Sequence, residues 1–136
     1  RALRKNTLRS HVQVPYERIT PIDNGRLKTC LSEMSNNECK TWNSDIINMI
    51  CAYFEDMQFL FSAFSKKMRK GGVIYFNVAN SAYYGVEVPV DYIIADIAES
   101  YGFRVREIRK ARDLKTSPQQ SGKIGKLRES VIVIDY

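Results

Sequence analysis

The stretch Gly71–Asp91, GGVIYFNVANSAYYGVEVPVD, decides how the rest of the chain is read. Its leading glycines stop a preceding helix, because glycine takes the left-handed backbone of a helix stop without a Cβ penalty. Val73 to Val78 is apolar and rich in β-branched and aromatic residues, which predicts a strand. The polar pair Asn80-Ser81 follows, then a Tyr-Tyr-Gly turn and a short extended piece ending at Pro89. In an open α/β sheet, ligands sit outside the carboxyl ends of the strands. Asn80 and Ser81 fall at such an end and are the first candidates for function.

Upstream, Asn43 or Ser44 can cap a helix, and Asp45 suits its first turn. Ile46, Ile47, Ile50, Tyr53, Phe54, Met57, Leu60, Phe61, Phe64 and Met68 recur mostly at threes and fours, the helical period. Lys66, Lys67, Arg69 and Lys70 suit the negative helix end. The stripe reads as core, a long helix packed on a sheet. Downstream, Pro89 and Asp91 introduce a second helix, Tyr92 to Tyr101, ended by Gly102. Phe103 to Arg112 reads as a strand whose alternation slips near Glu107-Ile108, predicting a bulge or a strand end. Asp113 to Gly125 reads as a loop. Val131 to Ile134 is apolar and wholly β-branched, which suits a strand buried on both faces.

The order is helix, strand, helix, strand, loop, strand. The first strand-helix-strand unit is long enough for a parallel, right-handed crossover, and the final pair is more naturally antiparallel. Three strands are few for so long a helix, so a larger sheet is expected. The first residue is Arg1 rather than methionine, and missing upstream sequence is expected as well.

The 136 residues suffice for one domain or part of one, and their composition is that of a globular protein. The net charge of +6 fits either an acidic partner or a basic surface that only confers solubility. Cys30, Cys39 and Cys51 form no CxxC pair and, with the lone His11, make a poor metal set. Reduced thiols in a cytoplasmic protein are the expectation. No apolar run approaches the ~20 residues that span a bilayer. Residues 1–9 hold four bases and no acid, and read as either a solvated loop or a phosphate-gripping arm. His11 reads as a structural hydrogen-bonder rather than a catalyst. Val12 to Pro21 looks extended and irregular, Asn24-Gly25 marks a turn, and Arg26 to Met34 predicts a short helix without evident chemistry.

Taken together, YFEDM in the long helix, the Gly71–Asp91 stretch, IADIAESYGFRV, RKARDLKTSPQQ and LRESVIVI carry a resemblance over residues 53–134. The chain resembles the C-terminal half of a class I S-adenosylmethionine-dependent methyltransferase, and more specifically the DNA amino-methylases of cytosine N4 or adenine N6. LRSH near the start is similar to the family's segment after its catalytic strand. The resemblance implies an α/β fold, part of a Rossmann-like methyltransferase sheet with packed helices, in which Val131–Ile134 inserts between the other two strands. It implies S-adenosylmethionine as cofactor, bound mainly by a missing N-terminal half, and DNA as partner. The family's catalytic motif, a polar residue followed by Pro-Pro-Tyr, does not occur here; Val14-Pro15-Tyr16 lacks its second proline and its polar residue. The glycine-rich cofactor loop is absent too, since Gly71-Gly72 precede a strand where that loop follows one. No residue is therefore assigned as catalytic or cofactor-binding.

The resemblance places the loop after Val73–Val78 at the pocket for an extruded base, because such enzymes take the base out of the stack. Asn80 and Ser81 offer groups suited to a base edge, or simply shape the turn. Tyr83 and Tyr84 either stack on a base or pack ordinarily. From Arg104 to Arg128 there are nine bases against two acids. Within it, Arg109, Arg112, Lys115, Ser117, Gln119 and Gln120 are candidate DNA contacts, set against a solvated face. Arg128-Glu129 is either a charge pair at a strand entrance or a DNA contact. The expected function is part of a DNA methyltransferase; the alternatives are a non-catalytic binding remnant of the same fold and an RNA methyltransferase.

Overall fold

The computed structural model describes residues 7–10, 19, 21–36, 45–116 and 124–136. It is an α/β structure in the order α1 (Gly25–Asn36), α2 (Asp45–Lys67), β1 (Val73–Ala79), β2 (Ser81–Tyr83), β3 (Val86–Val88), α3 (Val90–Ser100), β4 (Arg104–Lys115) and β5 (Lys126–Asp135). β5 lies between β1 and β4 and is antiparallel to both, so β1 and β4 run in the same direction. The insertion of the last strand between the other two is as the resemblance implies.

One sheet face carries Ile74, Phe76, Val105, Ile108, Ile132 and Ile134, which join the core with α2 and α3. Phe61 of α2 is fully buried, its ring 5.6 Å from Phe76 and 5.7 Å from Phe103. The buried residues of α2 include Ile46, Ile50, Phe54, Met57 and Phe61, the stripe that the helical period predicts. On the opposite face Val73 and Tyr75 are exposed, Tyr75 by 68%.

Three boundaries differ from the sequence reading, each for a reason of pairing. α2 ends at Lys67, leaving Arg69 and Lys70 beyond it. The Gly71 N–H bonds the Tyr136 carbonyl at 2.7 Å, and the Tyr136 N–H returns to Gly72 at 3.0 Å, so the glycines tie the helix exit to the last strand. The piece before Pro89 is a hairpin, β2 with β3, turning through Tyr84 (φ 53°) and Gly85 (φ 74°). Two successive positive φ values match the right-handed twist of the flanking strands. β4 continues to Lys115 because Asp113, Leu114 and Lys115 find partners in Arg128, Leu127 and Lys126. Its register shifts between Val105 and Glu107, beside the predicted slip, and again between Lys110 and Arg112.

Asn24 is a helix cap rather than only a turn residue. Its Oδ1 accepts the Leu27 N–H at 3.0 Å, satisfying a free donor of α1.

Candidate functional site

β1 ends at Ala79, and the next residue turns inward. Asn80 is 4% exposed. Its N–H donates to the Arg128 carbonyl at 2.9 Å and its Nδ2 donates to Glu87 Oε1 at 3.0 Å. Its Oδ1 accepts the Asp91 N–H at 3.2 Å. Pro89, at the cap position of α3, has no side-chain hydrogen bond to offer. Asn80 supplies one instead, from across the hairpin.

Asp91 is fully buried and accepts three hydrogen bonds. Oδ2 receives Arg128 Nε at 2.7 Å and Ser130 Oγ at 2.8 Å, and Oδ1 receives the Tyr92 N–H at 2.9 Å. A buried carboxylate persists only with such a set of partners. The bond to Asp91 raises the Arg128 pKa above its ordinary value, and the guanidinium carbon lies 4.6 Å from the Tyr92 ring centre. Arg128 and Glu129 do not pair with each other, which corrects that reading. Successive strand residues point to opposite faces. Arg128 therefore reaches Asp91 of α3, while Glu129 pairs with Arg112 of β4 and accepts from Asn77 Nδ2 at 3.0 Å. The Arg112 bond, then the Asn77 bond, holds Glu129 below the usual carboxylate range.

A cavity of about 190 Å³ opens beside this turn. Met49, Ile50, Tyr53 and Phe54 of α2 form one wall; Ala79, Ser81 and Tyr83 form another. Val88 and Val90 line it further, and Ser10 stands at its rim. Apolar and aromatic walls with a few hydroxyls are the composition of small-molecule sites. Burial pushes the Tyr53 phenol up. Asn80 does not line this cavity. It faces a wider depression of about 560 Å³ with Glu87, Tyr92, Lys110, Lys126 and Arg128. The structure thus separates the Asn80-Ser81 pair onto two depressions. Tyr84 lines neither, and its half-buried ring packs against the core. The sequence reading placed Tyr53 in the core stripe and gave Ser10 no role of its own, because nothing in a helical stripe marks a tyrosine that faces a void.

The basic segment is more neutral in space than in sequence. Arg104 and Arg106 both bond Asp135, Arg109 bonds Glu107, Lys110 bonds Asp113 and Arg112 bonds Glu129. Acids from outside the segment do much of this. Lys115 makes no ion pair among the described residues, and it sits directly across from Lys126, itself 3.9 Å from Asp113. Like charges directly opposed on a ribbon destabilise it. This pair lies past the end of β1, where β4 and β5 continue as a two-stranded ribbon. Ser117, Gln119 and Gln120 lie outside the described residues, as do His11 and Cys39. Cys30 and Cys51 are buried thiols, pushed up by that burial.

Among the described residues, no glycine-rich turn leads from a strand into a helix. Gly71 and Gly72 lie between a helix and a strand, and a Cβ on Gly72 would come within 3.0 Å of the Arg69 backbone carbonyl, so its bareness serves a close backbone approach. Gly85 turns a hairpin and Gly102 follows a helix. None follows a strand and opens a helix.

No protein-family model matches the chain, and no solved structure matches it significantly. Curated relatives do match. The type II methyltransferase M.BsoBI of Geobacillus stearothermophilus is 33% identical over 94 residues, which cover 67% of this chain and 18% of that protein. The type II methyltransferases M.AvaI of Nostoc sp. and of Anabaena variabilis are 33% identical over 94 residues, covering 67% of this chain and 20% of each. The chain spans about a fifth of the length of the curated relatives it matches. Over that stretch it is homologous to the type II methyltransferases, in agreement with the resemblance its motifs carry.

Proposed function

We propose that the chain is the C-terminal part of a DNA methyltransferase domain with a Rossmann-like sheet, and that it supplies the pocket for the target base. The observation that carries this reading is the cavity at the carboxyl end of β1, walled by Tyr53, Ser81 and Tyr83, in a chain homologous to methyltransferases. Aromatic and aliphatic walls receive an unstacked base, and hydroxyls meet its polar edge. The methyl donor is S-adenosylmethionine, held by residues outside this segment, and the acceptor is an exocyclic amine of cytosine or adenine. What this chain does is bind, orient and exclude water. The Asp91–Arg128–Ser130 cluster and the Asn80 cap fix the hairpin that bears Ser81 and Tyr83. DNA lies along the β4–β5 ribbon, where phosphates relieve the opposed Lys115 and Lys126.

The test is transfer of a labelled methyl group from S-adenosylmethionine by the complete protein to unmethylated duplex DNA. Label in DNA is the expected result. Label in RNA alone would favour the RNA enzyme, and none in either would favour a non-catalytic remnant.

A further inference from the structure

Residues 7–10 belong to no helix or strand, yet they are fastened to α2. Arg9 Nε donates to Asp56 Oδ1 at 2.9 Å, and its Nη2 bonds Glu55 Oε2 at 2.6 Å. The Arg9 backbone N–H donates to Asp56 Oδ2 at 2.8 Å. Asp56 therefore grips the side chain with one oxygen and the main chain with the other. The pKa of Arg9 is raised, above all by its bond to Asp56.

The ion pair is half-buried, and α2 is held besides by its own buried stripe. A grip on the main chain has a local consequence: it fixes where the next residue stands. That residue is Ser10, at the rim of the cavity. Asp56 lies three residues beyond Tyr53 on α2, the spacing that puts both on one side of the helix.

We propose that Arg9 is a positioning residue. Held by Asp56 and Glu55, it seats Ser10 as the outer wall of the base pocket, so that a planar ring entering beside Ser81 and Tyr53 is closed in by residues 7–10. The proposal rests on the reading of this cavity as the base pocket. The four-base arm at residues 1–9 thus contains one base that serves an internal clamp and not a phosphate.

The experiment uses the complete methyltransferase, labelled S-adenosylmethionine and unmethylated phage duplex DNA. It compares the parent with Arg9→Ala, Arg9→Lys and Asp56→Asn. Amide hydrogen exchange at residues 7–10, the thermal midpoint, kcat and KM for DNA are measured. Arg9→Ala and Asp56→Asn should speed exchange at residues 7–10 and raise KM about tenfold, with kcat within about twofold and the midpoint little moved. Arg9→Lys, which keeps one charged contact, should recover part of that KM. If Arg9→Ala fails to fold, the other two variants carry the same comparison. An active parent whose variants exchange faster at residues 7–10 with KM unmoved would overturn the clamp alone. A drop in kcat and midpoint together, with KM unmoved, would make the contact merely structural. A parent that transfers no methyl group to DNA would overturn the reading of the pocket itself.

Discussion

A carboxylate sealed from water costs several kcal/mol unless its lone pairs are met, and at Asp91 three donors meet them. Replacing Asp91 by alanine leaves Arg128 without its carboxylate beside a buried Ser130. Asp91→Ala should lower the unfolding free energy by about 3–5 kcal/mol in urea titration. A loss below about 1 kcal/mol would show that the cluster is not what anchors α3 to β5. Asn80 is a smaller case of the same logic. Asn80→Ala strands the Asp91 N–H and frees Glu87, and should cost about 1–3 kcal/mol and lower methyl transfer as the Ser81 corner loosens. Parental stability without methyl transfer would instead make Asn80 a direct contact of the substrate. The position of Asn80 at a strand end was legible in sequence. Its capping role was not, because the donor it serves is brought back only by a hairpin whose turn requires positive φ at Tyr84.

Among the elements, the β4–β5 ribbon holds the opposed Lys115 and Lys126 proposed to meet DNA phosphates. Removing a cation that neutralises one phosphate flattens the salt dependence of duplex binding by ~0.9 in slope. Replacing Lys115 and Lys126 together by alanine should weaken binding to unrelated duplexes and reduce the slope by up to about 2. Arg112→Ala should change the slope less, since its guanidinium is engaged by Glu129. The opposite ranking, read from binding at several salt concentrations, would move the DNA to the outer sheet face. The same ion pairs set a pH response. Glu129, Asp113 and Asp135 are held below their ordinary values by bonds to Arg112, Lys110 and Arg106. A depressed carboxylate stabilises above its unfolded value and loses that contribution as pH falls through its folded value. The thermal midpoint should therefore hold near neutrality and decline below about pH 4. Glu129→Gln should shrink that decline, and an unchanged profile would mean the pair is too solvated to matter. α2 was legible because its apolar period and helix-end charges agree. The last residues of β4 were not, because Asp113 and Lys115 read as loop until Arg128 and Lys126 stand opposite.

At the scale of the whole molecule, one sheet face is packed by α2 and α3 while the other exposes Val73 and Tyr75. Phe61 joins helix to sheet, and Phe61→Ala should cost about 3–5 kcal/mol, read as a lowered urea midpoint. The order β1-β5-β4 was legible only through the resemblance, since a four-residue β-branched run says it is buried and not between which neighbours. The candidate cavity was half legible: its Ser81 corner by position, its Tyr53 wall not at all. The role proposed for this cavity is to take the target base during methyl transfer. The most direct measurement is labelled methyl transfer to duplex DNA by the complete protein and by a variant in which Ser81→Leu fills the cavity. The parent should label DNA, and the filled variant should lose at least about a hundredfold in transfer, some 2.7 kcal/mol, while still binding duplex as the parent does. A filled variant that binds and labels DNA at the parental rate would contradict that role.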